Sequence, residues 1–100
     1  MSIEMHKVRI LYFFHHPDCV HCKKAMPILD QWKSEHKERL GYTVMIIKLD
    51  LSRIDWVKNG FSPRMTPAYQ LEVNGQGVVN YEGMLGSQKN IDKFVKAGEQ

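Results

Sequence analysis

The two cysteines of the chain, Cys19 and Cys22, stand three positions apart in the stretch FFHHPDCVHCKKAMPILDQW, with His21 between them and His15 and His16 just upstream. Three readings suit such a set. The thiols can cycle between a dithiol and a disulfide, they can join the imidazoles around a zinc ion, or they can be unreactive neighbours. The metal reading draws on His15, His16, Cys19, His21 and Cys22. It lacks a second cysteine pair or a distal histidine pair. Ligands crowded onto one strand end and one helical turn do not readily surround an ion tetrahedrally. No metal ligand is therefore assigned.

Reactivity depends on the elements that hold the thiols. From Val8 to Phe14 the sequence is nearly continuous apolar, which predicts a strand buried on both faces. Met26, Leu29 and Trp32 then recur at helical spacing among lysines and acids, which predicts a helix over 20–38 with a bend at Pro27. Cys19 falls where the strand gives way to the helix, and Cys22 lies one turn further in. Unpaired amides and the dipole of a helix start favour a thiolate, the form that attacks a disulfide. Cys19 is accordingly read as the nucleophile and Cys22 as the resolving thiol that releases the product. His21, between them, would favour the Cys19 thiolate through its charge or ring donor. Lys23 and Lys24 are a solvated helix face, Asp18 a local hydrogen-bonding or capping residue, and His15 and His16 loop residues outside the active set.

Downstream, YTVMIIKLD (42–50) reads as a second buried strand and SRIDWVKNG (52–60) as a short helix capped by Ser52 and stopped by Gly60. AYQLEV (68–73) and VVNY (78–81) flank Asn74-Gly75, a strong hairpin signal. Ser87 then precedes Ile91, Phe94 and Val95 at helical spacing. The predicted order is β-α-β-α-β-β-α, an α/β fold whose mixed four-stranded sheet carries helices on both faces, with a right-handed crossover joining its two parallel strands.

One hundred residues are expected to form a single domain spanning 1–100. No apolar run approaches the roughly 20 residues of a membrane helix, so no membrane partner is expected. The net charge of +3 is scattered without a basic stripe, so no nucleic-acid partner is expected. The first residues lack the pattern of a secretory signal, so a cytoplasmic monomer is expected. In that compartment two cysteines suit catalysis or metal binding better than a permanent staple.

A second motif extends the pattern beyond the cysteines. CVHCKKAMPILDQW looks like the active-site helix of the thioredoxin-like superfamily, and MTPAYQLEVNGQGVVNYEGML looks like its second signature. The chain resembles that superfamily from about Lys7 onwards, and the resemblance implies a thioredoxin-like fold. It also implies that Pro67 follows a cis peptide bond beside the cysteines, that the backbone of Thr66 pairs with an extended substrate peptide, and that Gly83 leaves room for it. The implied function is a thiol–disulfide oxidoreductase acting on protein disulfides and needing no bound cofactor; whether its electron donor is a flavin-dependent reductase or glutathione is left open by the residues.

The departures from the pattern are equally specific. The extra N-terminal strand and helix of typical thioredoxins are expected to be absent, leaving a size closer to a glutaredoxin. Asp18 and Val20-His21 replace the usual tryptophan and Gly-Pro, and a histidine before the second cysteine resembles disulfide oxidases and protein disulfide isomerases. Phe13 stands where thioredoxins bury a carboxylate, while Lys48 fits the nearby lysine. The glutathione-binding features of glutaredoxins are replaced by His21 and GMLGSQKN, so glutathione use is not implied. Two other functions fit the same residues, a non-catalytic binding subunit of this fold and a zinc-binding regulator.

Overall fold

The structure, a computed structural model, describes residues 8–36, 43–53 and 57–97. Its elements are β1 (Val8–His15), α1 (Val20–His36), β2 (Thr43–Asp50), β3 (Ala68–Val73), β4 (Gln76–Glu82) and α2 (Gln88–Val95). The sheet runs β2-β1-β3-β4, with β1 parallel to β2 and the remaining pairs antiparallel. This is the mixed four-stranded sheet expected from the sequence. Tyr42, Lys37 and Glu38, which the expected strand and helix include, lie outside the described residues.

A central position explains why β1 is apolar along its length: Leu11, Tyr12, Phe13 and Phe14 are all buried, pointing alternately to opposite faces. One face packs Leu11, Phe13, Tyr69 and Leu71 against Ala25, Leu29 and Trp32 of α1 and against Ile91, Phe94 and Val95 of α2. Each such side chain taken fully out of water contributes about 1.5–3 kcal/mol before entropy is counted. The other face joins Tyr12, Phe14, Leu49 and Ala68, with Leu51 and Phe61 packed on them. Both described helices therefore share one face. No helix among the described residues is long and apolar enough to cross a membrane.

The short helix expected over 52–60 differs at both described ends. Residues 51–53 form a turn, and Asn59 (φ 49°) and Gly60 (φ 79°) take left-handed conformations that close a bridge between Lys58 and Phe61. An Asn-Gly pair with both residues left-handed makes a tight reversal, and this local preference defeats the helix-stop reading of Gly60. Residues 54–56 lie outside the described residues. The turn is held to the sheet by Gln70, fully buried, which donates to the Lys58 carbonyl (2.8 Å) and to Asn80 Oδ1 (2.9 Å) while accepting from Asn59 (2.7 Å).

The hairpin forms where Asn74-Gly75 predicts it, with φ of 53° and 84° at the two turn residues. β4 starts two residues earlier than its apolar core, at Gln76. Ser87 caps α2, accepting the Asn90 amide at 3.2 Å. At the other end of α2, Arg9 of β1 donates to the carbonyls of Val95 and Ala97 at 2.7 and 2.8 Å. This charge-assisted clamp satisfies the open end of the helix and fixes α2 across the sheet.

Candidate active site

β1 ends at His15, and the four residues that follow turn the chain back over the sheet. The Cys19 amide donates to the His16 carbonyl at 3.0 Å, which closes a turn with Pro17 and Asp18 at its corners. The Asp18 amide donates to His16 Nδ1 at 3.1 Å. That nitrogen acts as an acceptor, so its 3.9 Å approach to the Asp18 carboxylate is not an ion pair in this arrangement. Asp18 does not cap the helix. Cys19 does: its carbonyl accepts the Lys23 amide at 3.3 Å and its sulfur accepts the Cys22 amide at 3.1 Å.

Cys19 and Cys22 are joined in a disulfide, with Cα atoms 5.2 Å apart. Helix geometry separates the two sulfurs by exposure. Cys22 is 1% exposed, at the head of the stripe Cys22, Ala25, Leu29 and Trp32 that faces the sheet, whereas Cys19 is partly exposed. In the reduced pair, the amide aimed at Cys19 Sγ and the helix start favour a negative charge on that sulfur, while burial opposes one on Cys22. The five His and Cys residues around the motif do not gather into a metal-holding group among the described residues.

The other site residues divide. His21 is exposed at the second position of α1. Pro67 is buried after a cis Thr66–Pro67 bond, one step beyond the Phe14–Ala68 pair, which places it at the same sheet end as the turn carrying Cys19. Gly83 adopts φ 126°, a conformation that side-chain-bearing residues rarely enter, and its amide donates to the Pro67 carbonyl at 2.8 Å. Thr66 is half-buried and has no backbone hydrogen bond among the described residues. Two apolar side chains stand out on this rim, Val20 (62% exposed) and Met65 (55%).

Residues set aside in the sequence also meet here. His15 belongs to β1 rather than to a loop, stacks on Phe13 with ring centroids 5.8 Å apart, and pairs in register with Asp50. Burial pushes its imidazole below the ordinary range, Asp50 pulls it back up, and Lys48 and His16 reinforce the lowering. Asp50 is held below the usual carboxylate range by hydrogen bonds from the Ser52 hydroxyl and amide. Lys48, in register with Phe13, is paired with Asp30 of α1 at 2.9 Å. The alternation of a strand, continued one step past Phe13, puts His15 on the face that the helices cover.

A family model for thioredoxin matches residues 2–97. Protein disulfide isomerase-like 1-1 of Arabidopsis thaliana is 34% identical over 74 residues, 74% of this chain; the match spans 14% of that protein's length. Thioredoxin-2, described as a component of the malaria parasite's protein secretion machinery, superposes with a TM-score of 0.74 at 18% identity, over 89% of this chain and 82% of its own. A point mutant of thioredoxin from Halobacterium salinarum gives 0.74 at 14% identity, over 99% and 80%. At such identities the structural likenesses speak for the fold. Together with the family match and the disulfide at the start of α1, they lead to one assignment: the chain belongs to the thioredoxin family.

Proposed function

We propose that the protein is a thiol–disulfide oxidoreductase that passes electrons between its Cys19–Cys22 pair and disulfides of other proteins. The observation that carries this reading is the contrast between the two sulfurs at one helix start. One is partly exposed and faces an amide, while the other is buried one turn away. In the reducing direction the Cys19 thiolate attacks a substrate disulfide, its sulfur bonds to one substrate sulfur, and the other leaves as a thiolate. Cys22 then attacks Cys19, the intramolecular disulfide forms, and the second substrate sulfur leaves. Two electrons have passed to the substrate, and no bound cofactor is needed.

Thr66, Pro67 and Gly83 supply the docking edge in this proposal. An extended peptide pairs with the open backbone of Thr66 and lies over Val20 and Met65, with its sulfur at Cys19. His21, exposed beside the pair, favours the Cys19 thiolate through its charge or ring donor. A single domain, a monomeric state, a cytoplasmic setting and a reductase or glutathione as electron donor complete the proposal.

The test is trapping. Cys22→Ser leaves the first attack possible and removes the second, so the variant is expected to accumulate mixed disulfides with protein substrates, resolved by dithiothreitol. Wild-type protein is expected to accelerate insulin reduction by dithiothreitol. A wild type that does not accelerate it, with no adduct on Cys22→Ser, would favour the binding-subunit reading.

A further inference from the structure

The chemistry just proposed needs a group to take the proton of Cys22, because a buried thiol becomes a nucleophile only when that proton has somewhere to go. Two rows of side chains run toward the start of α1. On α1 the sheet-facing stripe Trp32, Leu29, Ala25 leads up to Cys22; on β1 the helix-facing row Arg9, Leu11, Phe13 leads up to His15. β1 and α1 are joined by a tight return, so both rows end at the same end of the fold. Cys22 is the last residue of one row and His15 the last of the other.

We propose that His15 is the proton acceptor for Cys22 when the mixed disulfide is resolved, an inference that rests on the oxidoreductase reading. The imidazole takes the proton from Cys22 Sγ, and the resulting thiolate attacks Cys19 Sγ. The Cys19–Cys22 bond forms as the bond from Cys19 to the substrate sulfur breaks. The electron pair leaves on the substrate sulfur, which takes a proton from water or from the imidazolium.

The other ionisable groups around the site are already engaged. Asp50 of β2 accepts from Ser52, Lys48 of β2 is held by Asp30 of α1, and His16 Nδ1 accepts the Asp18 amide. The Tyr69 hydroxyl, from β3 on the same face, accepts the Leu85 amide, and burial pushes its pKa up. Arg9 is committed to the end of α2. His21 sits on the outer surface of α1. Neither ring nitrogen of His15 has a hydrogen-bond partner among the described residues, and the ring is oriented by its stack on Phe13. The lowered affinity for protons keeps the imidazole neutral at neutral pH, the state that can accept one.

The two chemical steps can be read separately with a symmetric peptide disulfide bearing a fluorophore on each half. Attack by Cys19 releases the first half, and resolution by Cys22 releases the second. His15→Gln keeps polarity without a titrating ring, and His15→Phe keeps the stack on Phe13. Both are expected to slow release of the second half by about tenfold or more at neutral pH, with release of the first half affected much less. In wild type the second step is expected to slow on the acid side as the imidazole protonates, and both variants are expected to lose that inflection. An unchanged second step, a retained inflection, or equal slowing of both steps overturns the assignment. Absence of first-half release from the wild type would instead overturn the oxidoreductase reading, and this inference with it.

Discussion

The two described helix starts are built on the same backbone plan and end up with different chemistry. At α2, the Ser87 carbonyl accepts the Ile91 amide at 3.1 Å and its hydroxyl accepts the Asn90 amide at 3.2 Å. At α1, the Cys19 carbonyl accepts the Lys23 amide at 3.3 Å and its sulfur accepts the Cys22 amide at 3.1 Å. Neither helix has an acidic residue in its first turn. The polarity of a helix start is thus common to both, and what makes one reactive is the atom that receives it. An oxygen cap stays a hydrogen-bond acceptor, whereas a sulfur cap can become a stabilised anion and nucleophile. The third helical residue completes the difference: it is a second thiol in α1 and Asn90 in α2.

The largest effect should come from exchanging the capping atom of α1. Cys19→Ser keeps a residue that is among the best helix caps and removes the nucleophile. Insulin reduction is expected to fall to background, a loss of at least about a thousandfold, since the remaining thiol, Cys22, is buried away from substrate disulfides. Stability relative to the reduced wild type, measured by urea unfolding, is expected to change by no more than about 0.5 kcal/mol. A large loss of stability would mean that the sulfur holds the helix by more than a cap.

The reciprocal change at α2 should reverse the pattern. Ser87→Ala removes the acceptor of the Asn90 amide and is expected to cost about 1 kcal/mol. In a domain of this size that lowers the melting temperature by about 4–8 °C. The insulin assay, run well below the melting temperature, is expected to give the wild-type rate. Loss of activity with stability intact would show that the two helix starts are coupled through the sheet.

Much of this contrast was legible in the sequence, because caps and periodicities are local. The start of α1 follows from an apolar strand running into helical spacing, the hairpin from Asn74-Gly75, and the start of α2 from Ser87 ahead of Ile91 and Phe94. What local reasoning misses is decided across the fold. Gly60 reads as a helix stop, yet with Asn59 it forms a tight turn, and the buried Gln70 that holds this turn reveals nothing in its own neighbourhood. Arg9 looks like an interruption of a strand until the end of α2 arrives beside it. His15 reads as a loop residue because two histidines and a proline follow the aromatic run. β1 in fact extends one residue further, onto the face that α1 covers.

A thiol placed at the second start separates the contribution of the helix from that of its surroundings. In a chain lacking both native cysteines, Ser87→Cys puts a lone sulfur in the position of Cys19. Its reaction with iodoacetamide in native buffer is expected to be several-fold faster near neutral pH than in the same chain unfolded in urea, because the helix start lowers the thiol's pKa. It is also expected to form mixed disulfides that persist, since residue 90 offers no second thiol. Equal reactivity in native and unfolded chains would shift the credit at α1 from the helix to His21 and the lysines beside it.

The smallest effect lies in what stands behind each start, and it is read through pH. His15 stands at the sheet end from which α1 departs, and burial holds its folded pKa below the ordinary value of 6.5. Between the folded and unfolded values the unfolded chain binds more protons, so stability rises with pH across that window. The contribution is fully present above about pH 6.5 and is lost as the pH falls through the lowered folded value. The loss at Asp50 belongs to a lower window, because its carboxylate is depressed from 3.8 and its contribution disappears only as the pH falls below that. Urea midpoints measured between about pH 7.5 and 5 should therefore decline more in wild type than in His15→Gln, where all other titrating groups are shared and cancel. The deficit caused by Ser87→Ala, a hydroxyl that does not titrate, should stay constant over the same range. Parallel pH curves for wild type and His15→Gln would show that the His15 imidazole is as free to take up a proton in the folded protein as in the unfolded chain.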